Sequence, residues 1–192
     1  MIFWDVDTQV DFMSPQGKLY VPGAEKIVPA LTQLTQYAAD RGVLVIASAD
    51  AHHEDDPELQ QWPPHCLAGT PGQQKIPETL LPRRFTLPNR PVELPSDLNA
   101  FQQIVLEKQA LDVFTNPNTE ALVEKLERPE IVLYGVVTEF CVAHAAENLL
   151  RRGCAVTLVQ DAVAAIDAAK AGQWLDRLMR QGLRTARLEE VA

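Results

Sequence analysis

The stretch IVLYGVVTEFCVAHAAENLL, residues 131–150, joins an apolar run to a helical pattern and decides the fold class. Its first seven residues, Ile131 to Val137, are typical of a strand buried on both faces of a parallel sheet. From Val142 onward the apolar residues recur at helical spacing. Cys141 is therefore predicted in the first turn of a helix, where free backbone N–H groups and the helix dipole favour a thiolate. Taken alone, Cys141 is either a nucleophile or a buried cysteine that packs as a small hydrophobic side chain.

Strand-like and helix-like segments alternate along the rest of the chain. Repeated strand–helix units predict an α/β fold, a single domain over residues 1–192 with a mostly parallel, twisted, Rossmann-like sheet and helices on both faces. The predicted strands are Ile2–Val6, Val43–Ala47, Gln103–Glu107, Ile131–Val136, Ala155–Gln160 and Leu183–Leu188. The predicted helices are Ala24–Arg41, Asn116–Leu126, Glu139–Arg152 and Ala168–Gln181, and the second of them has Asn116 as its N-cap and Pro117 as its first residue.

One long stretch interrupts this alternation. Nine of the fourteen prolines lie between Pro57 and Pro95. Proline stiffens a loop without giving it regular structure. Two interpretations stay open here, a rigid excursion over the surface and a wall or lid of a substrate pocket.

Composition excludes several classes of protein. The net charge of -9 and the absence of a Lys/Arg cluster argue against a nucleic-acid partner. No segment is long and apolar enough to predict a membrane span, and the strand-like start does not resemble a secretory signal. Three cysteines without close spacing predict free thiols in a reducing cytoplasm.

Three polar residues fall at or just after the ends of predicted strands, namely Asp7, Lys108 and Cys141. Ligands bind at the carboxyl ends of the strands in an open parallel sheet, so these side chains can meet in one crevice. A carboxylate there can accept the thiol proton and return it to a leaving amine, and a buried ammonium would lower the pKa of the thiol. Asp5 has the same strand parity as Asp7 but no assigned role. His144, one helical turn after Cys141, is expected to be structural rather than a Cys–His partner.

Three of the four histidines fall in a short window after the second strand, together with several acidic residues. Asp50 and His52 occupy alternate positions of an extended segment, so both can point the same way, and His65 can complete the set. A carboxylate with imidazoles suits Zn²⁺, Fe²⁺ or Mn²⁺. The alternative is an acidic loop with incidental histidines.

In this order, the segments resemble the nicotinamidase/isochorismatase-like cysteine hydrolases and, within that family, the nicotinamidases (pyrazinamidases). The resemblance is carried by four separated stretches: DTQVDF at 7–12, DAH at 50–52 with WPPHCLAGTPG at 62–72, Lys108, and GVVTEFCV at 135–142. The Trp-Pro-Pro-His-Cys segment followed by Gly-Thr-Pro-Gly points most directly to nicotinamidases.

The resemblance implies a catalytic triad of Asp7, Lys108 and Cys141. Cys141 would attack the carboxamide carbon and form a thioester acyl-enzyme, with Asp7 as general base and then acid. In this sequence the family's oxyanion hole corresponds to the backbone N–H groups of Val137 and Cys141. The family's cis peptide corresponds to the bond between Val136 and Val137.

The resemblance also implies one divalent metal ion, zinc first and iron or manganese otherwise, that binds the pyridine nitrogen of the substrate. Asp50, His52 and His65 match the family's ligands. Many members have a further histidine between them. Here the candidates are Glu58, chosen by spacing, and then Glu54 or His53. The residues that match the substrate-binding aromatics are Phe12, Trp62 and Phe140.

The function that follows from the resemblance is the metal-assisted hydrolysis of nicotinamide to nicotinate and ammonia, for NAD salvage in the cytoplasm. The alternatives are a related cysteine amidohydrolase for another small amide, carbamoyl or ureido compound, a non-catalytic binder, and a redox thiol protein. The expected partner is a small-molecule amide, without nucleic acid or membrane. Members of the family are often oligomeric, which makes a homo-oligomer plausible.

Overall fold

The computed structural model describes residues 1–192, and its seven strands form one sheet in which every pair is parallel. The strands are β1 (Ile2–Val6), β2 (Val45–Asp50), β3 (Arg84–Leu87), β4 (Gln103–Lys108), β5 (Glu130–Val136), β6 (Ala155–Ala164) and β7 (Arg184–Ala186), and they are arranged in the order β3-β4-β2-β1-β5-β6-β7. The helices are α1 (Val10–Met13), α2 (Val28–Arg41), α3 (Thr119–Lys125), α4 (Ala143–Arg151) and α5 (Ala168–Arg180). The predicted α/β fold is confirmed, and the sheet is wholly rather than mostly parallel.

Helices cover both faces of this sheet, and alternate residues of β1 belong to opposite cores. Phe3 is in the core that includes Leu31 and Leu34 of α2. Trp4 is in the other core, which includes Leu149 of α4. All five residues of β1 are buried, as expected of a central parallel strand covered on both sides.

The order of the strands changes direction at β1, which lies between β2 and β5. The carboxyl ends of parallel strands form a ligand crevice at such a point. The register pairs Asp50, at the end of β2, with Lys108, at the end of β4, and it pairs Val6 with Gly135 of β5. The residues that end or follow these four strands therefore meet at one edge of the sheet.

The backbone of β5 passes very close to β1 at Gly135. This glycine has a φ of 116°, and a Cβ atom added to it would lie 2.1 Å from the carbonyl oxygen of Val6. Only glycine fits such a position. The peptide bond between Val136 and Val137 is cis, as the family resemblance implied.

One prediction of secondary structure is wrong, and one strand was missed. Helix α3 begins at Thr119 rather than at Pro117. Oδ1 of Asn116 still accepts a 2.8 Å hydrogen bond from the N–H of Asn118, as an N-cap would, but the same side chain also holds this segment against two strands. Its Nδ2 donates hydrogen bonds to the carbonyl oxygens of Leu87 (3.2 Å) and Glu107 (2.7 Å). Strand β3 was not predicted, because only Leu87 of its four residues is buried and the apolar pattern is correspondingly weak.

The remaining differences concern element ends. Strand β2 begins at Val45 and continues through Asp50, and β6 continues to Ala164. A 3₁₀ turn, Ala24–Ile27, precedes α2, which ends at Gly42 in the left-handed conformation. All three cysteines are free and buried. None of the helices has the length and apolar character that a bilayer crossing requires.

Candidate active site

Cys141 lies in a π-helical turn, Thr138–Val142, which joins β5 to α4. A cysteine at the junction of a buried strand and a helix was predicted. Burial outweighs the effect of Lys108, which lowers the pKa of this thiol as predicted. Burial is the largest influence and raises the pKa of the Cys141 thiol well above its ordinary value, with Asp7 acting in the same direction and Lys108 opposing it. The resting site therefore favours the protonated thiol, and a nucleophilic sulfur requires a proton acceptor close by.

Lys108 is fully buried at the end of β4 and lies between the other charged groups. Its Nζ atom is 3.0 Å from Oδ2 of Asp7 and 3.6 Å from Sγ of Cys141, and it also forms a close ion pair with Oδ1 of Asp50. Burial alone would lower the pKa of Lys108. The charges of Asp50 and Asp7 outweigh burial and hold this pKa well above its ordinary value, so Lys108 is a cation.

Asp7 follows β1 with a φ of 47°, in the left-handed region that aspartate adopts more readily than most residues. Its Oδ1 accepts a 2.6 Å hydrogen bond from Oγ of Ser48, and its backbone N–H donates to the Ser48 carbonyl at 3.2 Å. Its Oδ2 accepts no directed hydrogen bond, although the ammonium of Lys108 is nearby. A carboxylate oxygen with a free lone pair can take a proton.

Four potential metal ligands converge beside this group, and they are Asp50, His52, Glu58 and His65. One ligand atom from each lies within 4.8 Å of all the others. The Nε2 atoms of His52 and His65 are each 3.8 Å from Oδ2 of Asp50. The alternative candidates for the fourth position, His53 and Glu54, are exposed and outside the cluster.

The hydrogen bonds of the two imidazoles fit a metal site. Nδ1 of His65 donates to the carbonyl oxygen of Pro63 at 2.8 Å, and Nδ1 of His52 lies 3.1 Å from Oδ2 of Asp56. A carbonyl and a carboxylate can only accept, so in the neutral imidazoles each Nε2 carries the lone pair and faces the cluster. Nε2 of His52 is buried without any hydrogen-bond partner. These nitrogen and oxygen donors fit a divalent cation of the zinc, iron or manganese type. Sequence reasoning missed Asp56.

Two buried side chains after β1 hold the loops of the site in place. Gln9 fixes the backbone of Asp50, since its Oε1 accepts from the Asp50 N–H at 2.7 Å and its Nε2 donates to the Asp50 carbonyl at 2.8 Å. Asp11 accepts a 2.7 Å hydrogen bond from the N–H of Cys66, next to His65. A Cβ atom on Gly72 would lie 2.2 Å from Oδ2 of Asp11, so the loop closes over this carboxylate only because residue 72 is glycine. Sequence reasoning missed the role of Gln9, for which the available signal is a polar residue three positions after a buried strand.

A small apolar cavity, with an accessible volume of about 20 Å³, opens beside Cys141. All three aromatic residues predicted to bind substrate line it, and Trp62 meets Phe140 edge to face with ring centroids 5.2 Å apart. The lining residues are Phe12, Leu19, Asp50, Glu58, Trp62, His65, Leu111, Val137, Phe140, Cys141 and Ile166. Sequence reasoning missed Leu19, Leu111 and Ile166, which carry no polar or aromatic signal.

The proline-rich stretch divides into two parts around this cavity. Glu58, Trp62 and His65 contribute to its lining, whereas no residue between 71 and 95 does. The first part therefore fits the pocket-wall interpretation, whereas the second part is more than a surface excursion, because it contains β3 and buries Lys75, Thr79 and Leu87. His144 is not near the thiol chemistry, because its ring packs 6.0 Å from that of Trp174 on α5.

Comparisons with known proteins agree with this arrangement. A model of the Isochorismatase domain family matches residues 3–190. The nicotinamidase/pyrazinamidase of Mycobacterium tuberculosis is 27% identical over 170 residues, which cover 85% of this chain and 86% of that protein.

Two solved structures cover nearly the whole chain. The pyrazinamidase of Pyrococcus horikoshii in complex with zinc has a TM-score of 0.79 at 26% identity and covers 97% of this chain and 98% of its own. The N-carbamoylsarcosine amidase of Thermoplasma acidophilum has a TM-score of 0.78 at 29% identity and covers 99% of this chain and 97% of its own.

Proposed function

The chain belongs to the isochorismatase family, and from this premise we propose that it is a metal-assisted amidohydrolase that converts nicotinamide to nicotinate and ammonia. Its nicotinamidase relatives indicate a hydrolase that acts on amide C–N bonds. Residues 1–192 would act as one hydrolase domain. The observation that carries the proposal is the position of Lys108, which pairs with Asp7 and Asp50 and lies 3.6 Å from the sulfur of Cys141 at the floor of an aromatic cavity.

The first chemical step in this proposal is the attack of Cys141 on the carboxamide carbon. The thiol is protonated at rest, so Oδ2 of Asp7 takes its proton as the sulfur–carbon bond forms. The backbone N–H groups of Val137 and Cys141 stabilise the oxyanion. The N–H of Val137 donates no hydrogen bond to another backbone group, which leaves it available for this role.

The second step is the loss of ammonia. Asp7 returns its proton to the amide nitrogen, the carbon–nitrogen bond breaks, and a thioester to Cys141 remains. Asp7 then accepts a proton from the water molecule that attacks the thioester, the sulfur–carbon bond breaks, Asp7 returns this proton to the sulfur, and the carboxylic acid product leaves. Lys108 stays a cation throughout and offsets the negative charge that moves between Asp7 and the sulfur.

The apolar wall of the cavity and the donor cluster would together bind the substrate. Phe12, Trp62 and Phe140 would hold a flat ring. Asp50, His52, Glu58 and His65 would hold a divalent ion, zinc in our proposal, which when bound supplies a Lewis acid that anchors a ring nitrogen. A small aromatic amide with a ring nitrogen fits this combination.

The decisive experiment is ammonia release from nicotinamide by the purified protein, with bound metal quantified on the same sample. We expect release that stops on chelation and also on thiol alkylation. A folded, metal-loaded sample that releases no ammonia would refute the nicotinamidase proposal.

A second candidate function is hydrolysis of a small carbamoyl or ureido compound. The likeness to N-carbamoylsarcosine amidase supports it, because the identity of 29% is slightly above that to the pyrazinamidase. An N-carbamoyl amino acid assayed beside nicotinamide separates the two. Greater kcat/KM for the carbamoyl compound would favour this second candidate.

A further inference from the structure

A second buried ion pair lies directly behind Asp7, and nothing in the reaction described so far uses it. Oδ2 of Asp5, on β1, is 3.0 Å from Nζ of Lys75. Both side chains are almost completely buried, with 1% and 3% of their surfaces exposed. Replacing such a pair with apolar side chains is often neutral or stabilising, so its presence is not explained by stability alone.

The ammonium of Lys75 also contacts the residue that holds Asp7. Nζ of Lys75 donates to the carbonyl oxygen of Ser48 at 3.4 Å. The same carbonyl accepts the backbone N–H of Asp7, and the hydroxyl of Ser48 donates to Oδ1 of Asp7 at 2.6 Å. Lys75 and Asp7 are therefore joined through both the backbone and the side chain of one serine.

The segment that carries Lys75 is fixed against the segment that follows Asp7. Residue 75 forms an isolated antiparallel bridge with Gln9. The N–H of Ile76 donates to the carbonyl of Thr8 at 2.9 Å, and the hydroxyl of Thr8 donates to the Asp5 carboxylate at 3.0 Å. The pair thus has little freedom to move relative to Asp7.

The charges alternate along this line of contacts. Asp5 pairs with Lys75, and Asp7 pairs with Lys108. Burial raises the pKa of Asp5, and Lys75 is the strongest influence that opposes the rise. Without Lys75, the buried Asp5 carboxyl group would lose its counter-charge two residues before Asp7 in the chain.

We propose that Lys75, held by Asp5, is a positioning residue for the reaction and acts through Ser48 to fix the Asp7 carboxylate toward the thiol of Cys141. This inference rests on the proposed role of Asp7 as proton acceptor. Ser48 restrains one oxygen of Asp7 and leaves the other facing Lys108 and the sulfur. A small displacement of a proton acceptor lowers the rate of the chemical step more than it weakens substrate binding.

The test is a cycle of three variants. The Asp5→Asn/Lys75→Met variant removes the pair without leaving a lone buried charge, Ser48→Ala removes the hydroxyl that Asp7 accepts, and the third variant combines both. We expect each of the first two to lower kcat by about tenfold with KM nearly unchanged. The combined variant should be no slower than Ser48→Ala alone, because the pair acts through that serine. Lys26→Met, at an exposed lysine, serves as the control.

A wild-type kcat in the paired variant, or losses that multiply in the combined variant, would overturn the inference. If the paired variant does not fold, Asp5→Asn/Lys75→Gln takes its place, and the same two criteria apply.

Alkylation of Cys141 by iodoacetamide, followed by mass spectrometry, gives a readout that needs no substrate. It should slow in the same variants and with the same non-additivity. If the wild-type protein hydrolyses no amide, the proposed function fails, whereas equal alkylation rates in all variants would refute the positioning role itself.

Discussion

The two halves of the site lie on different structural elements, one at the ends of strands and the other in a loop. Asp7, Lys108 and Cys141 sit at or just beyond the ends of three strands and are at most 5% exposed. We call them the strand-borne half. The other half, which we call the loop-borne half, lies beyond β2 and consists of His52, Glu58 and His65. The side chain of Glu58 is 12% exposed. Groups that must hold reacting atoms in place are more precise on regular elements, whereas loops tolerate change in the groups they present. Asp50, at the end of β2, touches both halves.

The comparison predicts the largest effect for Cys141→Ala. Turnover should fall by about 10⁴-fold or more, because no other group can form the acyl-enzyme. Bound metal should stay at the wild-type level, since the donors lie in the other half. Ammonia release and metal analysis of one sample check both statements, and Cys154→Ala, at another buried free cysteine, is the matched control. Appreciable residual turnover would remove Cys141 from its proposed role.

Lys108→Met should have the next largest effect. It leaves Asp7 and Asp50 buried without their common counter-charge, which is expected to cost about 3–5 kcal/mol of unfolding free energy. We expect kcat to fall by about 10²–10³-fold in the folded fraction. Urea denaturation and steady-state kinetics measure the two effects, and Lys26→Met should change neither. A stable, active Lys108→Met protein would mean that the halves do not depend on this cation.

His52→Ala tests the loop-borne half directly. It should release most of the bound metal and raise KM, while alkylation of Cys141 by iodoacetamide continues. The neighbouring His53→Ala is the control, because His53 is exposed and outside the donor cluster. Unchanged metal stoichiometry in His52→Ala would contradict its assignment as a ligand.

Asp56→Asn should give the smallest of these effects. Asp56 touches the far nitrogen of His52, and loss of such an outer partner typically weakens metal binding by about 10–100-fold. Competition with a chelator measures the affinity, and Asp55→Asn, at an exposed neighbour, is the control. Equal affinities in the two variants would show that the imidazole of His52 is oriented without Asp56.

Much of this site could be predicted from the sequence, for a physical reason. Parallel strands buried on both faces appear in the sequence as continuous apolar runs, and their carboxyl ends meet at one edge of the sheet. Asp7, Lys108 and Cys141 could therefore be expected in one crevice although 134 residues separate the first from the last. The choice of Glu58 for the fourth donor position also agrees with its place in the cluster.

The remaining features of the fold and of the site could not be predicted from the sequence, because they depend on burial and on contacts between distant segments. The pKa of Cys141 is raised because the thiol is removed from water, which the local helix pattern does not reveal. Asn116 accepts from the N–H of Asn118 as an N-cap would, but its Nδ2 also donates to carbonyl groups of two other segments, and the helix begins only at Thr119. The pairing of Asp5 with Lys75 joins residues 70 positions apart, and one of them lies in the proline-rich stretch, where no periodic pattern was available.

The contact between Gly72 and Asp11 has a consequence for how mutations in this chain are to be interpreted. Residue 72 touches no proposed ligand, and any larger residue there would displace the carboxylate that holds the backbone of Cys66 beside His65. In a survey of random variants, changes at position 72 would resemble changes at the metal ligands, although they act one loop away. Substitutions that abolish activity are therefore expected at more positions than those that contact the substrate. They include positions such as 72, where the backbone shapes the loop.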